Sequence, residues 1–540
     1  MADDALLALT RFGLGPRPGD LKAVGGDPRG FVLAQCGMAG AAVLAGGDLQ
    51  PTEALIPAFF ETRRNRKLAL MAREAAGKAQ AAVGKAFGQI AGGANDMAAA
   101  GGGMEGDMEM AAGMAADAVD GGADGAGMEP AAPGDAKAAR RAARAARRKA
   151  AGKGESMAGE GSAGEGKAPE VQPAAAFAGG VLRAETEARY ARALSTDAPL
   201  VERLVMFWSN HFCVSGDKGG LVRVISGAYE REAIRPHVLG RFRDLLGAAV
   251  THPAMLIYLD NNRSVGPNSA RGQRKGDGLN ENLARELLEL HSLGVDGGYD
   301  QADVGALARI LTGWTVDRSG EGEAAVFRPA FHEPGAFTVL GRTYAQPGGR
   351  QLQAALDDLA RHPATARHVA RKLVRHFVAD DVPPGLADGV AKAFRDSDGD
   401  LAVTTRALVA ADAAWAPPPA KARSPYELVV AAERATGAGV GHRGVFQVAR
   451  SLGQKIWSPP SPAGFSDADD AWLGGDALLE QLDWATAYAR TASAGVETLA
   501  LGDALFGAGL DGETRTVLKR AESEEQALAL LIMSPAFQRR

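Results

Sequence analysis

Between Asn280 and Gly294 the chain reads Asn-Glu-Asn-Leu-Ala-Arg-Glu-Leu-Leu-Glu-Leu-His-Ser-Leu-Gly, placing Glu281, Glu286, Glu289, Arg285 and His291 in one segment of helical pattern. Imidazoles and carboxylates together can move protons near neutral pH or hold a divalent metal. A second histidine, His211, stands among aromatic residues in Met206-Phe-Trp-Ser-Asn-His-Phe212. A third polar place is Tyr258-Leu-Asp-Asn-Asn-Arg263, where an apolar run ends in turn-forming residues. These places nominate His211, Glu286 and His291 as catalytic candidates. They nominate His211, Asp260, Glu281, Glu286 and His291 as ligands for a divalent metal, and Asn210, Asn261, Arg285 and Trp457 as substrate contacts.

Each candidate has a plainer reading. On a helical wheel advancing about 100° per residue, Leu283, Ala284, Leu287, Leu288 and Leu290 fill one half, and His291 falls in its middle. His291 is then a core histidine hydrogen-bonded to backbone, or else a ligand or general base. Arg285 lies near Glu281 and Glu289, while Glu286 sits at the edge of the apolar face. The Asn210-His211 pair can cap a helix or orient an imidazole. Asp260 and Asn261 can bind a cation or a sugar hydroxyl, or simply make a turn. No His-Glu-x-x-His occurs, so standard zinc-peptidase spacing is absent.

Other patterns carry less. Gly161-Ser-Ala-Gly-Glu-Gly-Lys167 has phosphate-loop spacing, but Ala168 replaces the hydroxyl residue and no strand precedes it. Asp396-Ser-Asp-Gly-Asp400 opens like a calcium loop, yet Leu401 stands where glycine is needed, so it reads as a turn capping a helix. No Gly-x-Ser-x-Gly elbow is present. His362, His368 and His376 share a basic stretch in which Arg367, Arg371 and Arg375 recur every four residues; that face can dock a phosphate or an acidic partner, or stay solvated. The Trp457–Pro462 loop, followed by Asp467, Asp469 and Asp470, can line a groove for a sugar or peptide, or clamp two helices.

The elements that must position these residues are mostly helices. The chain has 540 residues and a net charge of −5, which argues against a broad nucleic-acid surface. Two cysteines, Cys36 and Cys213, exclude a disulfide framework. No run approaches the roughly 20 apolar residues of a membrane span, and the first residues lack a basic stretch before an apolar core. Cytoplasmic residence is expected, with export in complex with a partner as the alternative.

Residues 1–92 and 174–540 read as two parts of one helical domain. Residues 93–173 read as a disordered, low-complexity insert, too poor in large apolar residues to offset its ordering entropy. Helices are expected at Ser226–Val250, Leu279–Leu293, Gln301–Gly313, Ala364–Val378, Leu386–Asp396, Leu401–Ala414 and Tyr426–Ala435, among others. Ala325–Tyr344 suggests one small hairpin. Thr251-His-Pro-Ala-Met255 and Ser534-Pro-Ala-Phe537 echo each other as helix starts with proline at the first position.

At Ala8–Pro18, Glu202–Val214, His252–Pro267, Gly278–Trp314, His362–Pro384, Leu452–Leu473 and the Ser534–Arg540 tail the chain resembles a bacterial family catalogued as domain of unknown function 1800. The resemblance implies a helical fold and frequent pairing with an exported family, domain of unknown function 1501. It implies no established activity and no assigned catalytic residue. Cys213 departs from the small hydroxyl residue expected at its place. Two functional classes remain: an uncharacterised protein with a polar, possible metal-assisted site, and a non-catalytic binding or assembly partner that docks through a Trp/Pro-rich surface such as Trp457–Phe465.

Overall fold

The computed structural model describes residues 2–38, 40–44, 49–95, 174–275, 278–416, 418–439 and 441–540. Contacts divide the chain into two compact units, one of Met1–Leu68 with Val171–Arg540 and one of Ala69–Glu170. Of the second, helix Thr52–Asn95 supplies the described part; the rest of the low-complexity segment lies outside the described residues. The first unit is mainly helical. Its core gathers residues such as Phe12, Leu204, Trp208, Phe242, Leu287, Leu356, Leu373 and Phe377, all 2% exposed or less. Each such side chain contributes about 1.5–3 kcal/mol on leaving water.

Several helices begin as the sequence expects. Asp300 and Ser424 close capping boxes with Asp303 and Glu427. Asp400 caps Leu401–Ala410 by accepting from Val403 N at 2.8 Å. His252 and His362 each precede Pro-Ala, and each accepts through Nδ1 from the alanine N–H, at 3.1 and 3.2 Å. Ser534 opens Pro535–Gln538 with the same proline position, so the echo is helix punctuation.

Two expected helices are not continuous. Gly220–Tyr229 passes into a π turn over Glu230–Ile234, then a 3₁₀ turn at Arg235–His237, before Phe242–Thr251 begins. Pro236 forces this break, because it has no N–H to continue the ladder. The Asn280 segment is α-helical over Asn282–Glu286 and π over Leu287–His291. A π turn spends one extra residue per turn and is common at functional sites.

Val326-Phe327 and Phe337–Leu340 do not pair with each other as one hairpin. Trp314–Val316 pairs antiparallel with Ala325–Phe327, and Phe337–Val339 pairs antiparallel with Arg342–Tyr344, giving two small ladders.

Candidate functional site

Helix Pro363–Phe377 sets the geometry. Arg367, Arg371 and Arg375 point outward and are exposed, with Arg375 reaching Asp380 at 3.5 Å. One position along, His368, Lys372 and His376 repeat the same spacing of four and face inward. The basic row is therefore the solvated face, and the row beside it carries the polar site.

His368 and His211 meet the end of the second π turn. His368 Nε2 lies 3.1 Å from Leu290 O, and His211 Nε2 lies 3.2 Å from His291 O. Both nitrogens face carbonyls, so both carry hydrogen and donate. They satisfy acceptors at a helix end that has no further turn to supply donors. His211 meets Trp208 and Phe212 edge to face, and its ring centroid is 6.3 Å from His291 and 6.0 Å from His368. Gly294, at φ 84°, leaves room for His368: a Cβ there would stand 2.7 Å from Nδ1.

His291 is 0% exposed, as its place on the apolar face predicts, but neither ring nitrogen has a hydrogen-bond partner among the described residues. Among those residues the plain reading of a backbone-bonded core imidazole does not hold for its ring; its carbonyl is engaged. His211 Nδ1 is unpartnered among them as well. Burial, with Lys372 adding repulsion, pushes His291 down to about 3 and His368 down to about 4, and holds His211 well below its ordinary value. All three are neutral at pH 7.

Beside this cluster lies a cleft with about 910 Å³ of empty space, the solvent at its mouth included. Glu230, the first residue of the first π turn, forms part of its wall. Its carboxylate accepts from Trp457 Nε1 at 2.9 Å, Ser209 Oγ at 3.1 Å and Arg235 Nε at 3.1 Å, with Arg189 Nε 3.4 Å away. The Arg189 guanidinium lies over Tyr426 at 4.8 Å and Trp457 at 5.5 Å. Arg235 also holds Glu202 through two bonds of 2.9 and 2.6 Å.

A second set of paired charges closes the other side. Glu427 binds Arg203 at 2.9 Å and Arg540 at 3.3 Å. His376 Nδ1 donates to Asp467 at 2.9 Å, and its Nε2 lies 3.3 Å from Arg203 Nη2. Burial alone would raise Asp467, but His376, Arg540 and Lys421 outweigh it and hold it at about 2. Burial lowers His376, so a neutral imidazole donates to an ionised carboxylate.

The loop after Ile456 is strapped to the end of helix Pro199–His211. Gly216 N donates to Trp457 O at 2.8 Å, Ser215 Oγ to Pro459 O at 3.1 Å and Cys213 Sγ to Pro462 O at 3.2 Å. Asn210 clamps Phe465 from both sides, donating to its carbonyl at 2.9 Å and accepting from its N–H at 2.8 Å. Trp457 adopts φ 48°, a left-handed backbone that costs a bulky residue energy and that the straps hold in place. Burial pushes the Cys213 thiol up to about 12, so it stays protonated.

The sequence candidates divide. Trp457 and Asn210 line the cleft, although the Asn210 amide is consumed by the clamp. His211 and His291 meet. Glu286 is half-buried with no hydrogen bond or ion pair among the described residues; burial, then Glu289, raises its pKa, and Arg285 opposes them. Asp260, at φ 59°, pairs with Lys218 at 2.5 Å. Glu281 pairs with Arg285 at 3.4 Å and accepts from Gln301 at 2.8 Å, and Arg285 also donates to Gln301 at 2.9 Å. Asn261 is buried and ties Leu311 O and Trp314 O at 3.2 and 3.0 Å.

Among the described residues no group of three or more His, Cys, Asp or Glu side chains is arranged to hold a metal. Trp457 is 9% exposed with its indole turned inward, so the docking surface expected at Trp457–Phe465 does not present that side chain. Sequence reading missed Arg189, Glu230, Tyr426, Glu427 and Arg540. Charged residues in helices read as surface, and the partners that bury these lie far away in sequence.

No described helix is long and apolar enough to cross a membrane. No curated protein and no solved structure matches the chain. The family described as "Protein of unknown function (DUF1800)" matches residues 7–539. That match takes in nearly the whole chain, and the protein belongs to this family.

Proposed function

We propose that the cleft binds a polyhydroxylated, saccharide-like ligand, and that this site recognises rather than hydrolyses. One observation carries the reading. Tyr426 lines the cleft, is 4% exposed, and its buried hydroxyl has no hydrogen-bond partner among the described residues. A buried hydroxyl without a partner costs about 1–3 kcal/mol, and a ligand acceptor removes that cost. Phe465, half-buried at the cleft, adds an aromatic ring suited to the C–H face of a sugar. Ionised Glu230, Glu427 and Asp467 can accept further hydroxyl donors.

Catalysis at this cleft has less support. A general base needs a free lone pair within reach of substrate, yet both His376 nitrogens are engaged and the Cys213 thiol is protonated. A divalent metal at His211 and His291 is also disfavoured, because Lys372 repels it and no carboxylate completes the set. A catalytic reading rests instead on Glu286, an unpaired carboxyl with a raised pKa. Any turnover that survived Glu286→Gln would remove it. A partner of the domain of unknown function 1501 family fits the recognition class, and co-purification from cells making both proteins tests it.

The discriminating variant is Tyr426→Phe. Titration with maltose, cellobiose and diacetylchitobiose, followed by tryptophan fluorescence, should give saturable binding of at least one. The variant should bind it several-fold more weakly while melting no earlier than the wild type. Binding of none of the three, or unchanged affinity in the variant, refutes the reading.

A further inference from the structure

We infer that the saccharide taken by this cleft is acidic, a uronic acid whose carboxylate is held by the Arg189 guanidinium with the Tyr426 hydroxyl beside it. The inference rests on the proposed cleft reading and narrows its ligand class.

The argument begins with donors left over. Arg189 lines the cleft and is 8% exposed. Among the described residues its guanidinium has one polar contact, the 3.4 Å approach of Nε to Glu230 Oε2. That approach is not aligned as a hydrogen bond, and Nε is buried without a partner. The same oxygen already accepts from Trp457 Nε1 at 2.9 Å and Ser209 Oγ at 3.1 Å. The other contacts of Arg189 are with rings, its guanidinium carbon lying 4.8 Å from the Tyr426 centroid and 5.5 Å from that of Trp457. A ring face attracts the cation but supplies no oxygen lone pair. A guanidinium offers five N–H donors in a planar fork, and here no described residue accepts from it.

Tyr426 supplies the independent observation. Its hydroxyl is buried without a partner among the described residues. Its ring is the one beneath Arg189, so both groups stand at one place in one cleft. Burial raises the Tyr426 pKa, which keeps the phenol an O–H donor. Guanidinium and phenol therefore require the same thing, an oxygen acceptor. A carboxylate meets both, receiving the fork through its two oxygens with lone pairs to spare for the hydroxyl. A neutral sugar hydroxyl brings no charge to the guanidinium and carries a proton that needs an acceptor of its own. The Glu230 charge that an acidic ligand would otherwise face is held by Arg235 Nη2 at 3.0 Å.

The test titrates the protein at pH 7 with digalacturonate and with its dimethyl ester, which keeps the sugar and removes the charge. Sodium chloride holds ionic strength constant, tryptophan fluorescence follows binding, and maltose and cellobiose are run alongside. Digalacturonate should bind about tenfold or more tightly than its ester, the scale of one charge-assisted hydrogen bond. Arg189→Met should abolish that preference, whereas a merely structural change would weaken acid and ester alike. If Arg189→Met fails to fold, Arg189→Lys, which keeps the charge beside Glu230 and loses the fork, should cut the preference several-fold. Equal affinities for acid and ester in the wild type, or an unchanged preference in the variant that folds, would overturn the inference. Saturable binding of ester, maltose or cellobiose in that case would leave the cleft reading standing. Saturation by none of the sugars, acidic or neutral, would overturn both.

Discussion

The indole Nε1 of Trp457 donates to Glu230 Oε2 at 2.9 Å across 227 positions of sequence. The bond joins two irregular pieces of backbone, a left-handed tryptophan and the first residue of a π turn. Each is unfavourable alone, and each is fixed by the other's side chain. Hydrogen bonds to a charged group contribute about 1.5–3 kcal/mol. Trp457→Phe, which keeps most of the ring and loses the donor, should lower unfolding free energy by about that amount in urea. An unchanged midpoint would show that the bond does not hold the loop.

Glu427 is the only carboxylate paired with Arg203 among the described residues, and it also binds Arg540. Breaking one partner of a buried pair costs about 3–5 kcal/mol because a charge is left unmatched. Glu427→Gln should therefore be more damaging than Trp457→Phe. It should also loosen Arg540, so backbone hydrogen exchange in residues 535–540 should run faster than in the wild type. Equal exchange rates would contradict the role given to Arg540.

Gly464 packs at φ 87°, where an added Cβ would stand 2.6 Å from both Asn210 O and its Oδ1. A left-handed non-glycine residue costs about 1–2 kcal/mol before any clash. Gly464→Ala should lift the loop from Asn210 and open residues 455–467 to limited proteolysis at temperatures where the wild type is resistant. Resistance equal to wild type would mean that the clamp tolerates the methyl group.

Acid should destabilise the protein through its buried imidazoles. The folded pKa of His291 is about 3, below its ordinary 6.5, and that of His211 is lowered as well. The unfolded chain therefore takes up protons first. The stabilising contribution is complete above about pH 6.5 and is lost as pH falls toward 3, by about 1.4 kcal/mol per pH unit for each such histidine. His291→Phe should flatten the decline of stability between pH 6 and 4, measured by denaturant titration. A slope equal to that of the wild type would place His291 in contact with water.

Much of the scaffold was legible because its signals are local. Asp300 with Asp303, Ser424 with Glu427, and proline after His252, His362 and Ser534 mark helix starts through neighbours within three residues. The π turns were not legible, since Leu287–His291 keeps the apolar pattern of an α-helix and departs only in its hydrogen bonds. His211 and His368 cap the carbonyls left free where that turn ends. The site was half legible. Trp457, Asn210, His211 and His291 stand out by residue type, whereas Arg189, Glu230, Tyr426 and Arg540 acquire meaning only from partners distant in sequence. On helix Pro363–Phe377 the four-residue period was visible, but burial decides between the arginine row and the His368, Lys372, His376 row.

On the proposed reading, ligand enters the cleft between the end of helix Pro199–His211 and the Trp457 loop. Backbone hydrogen exchange of the protein, with and without the tightest-binding of maltose, cellobiose and diacetylchitobiose, tests this. Slowed exchange is expected in residues 206–214, 424–427 and 454–472, with little change in residues 301–311. Protection confined to residues outside these three segments, or none at saturating sugar, would contradict it.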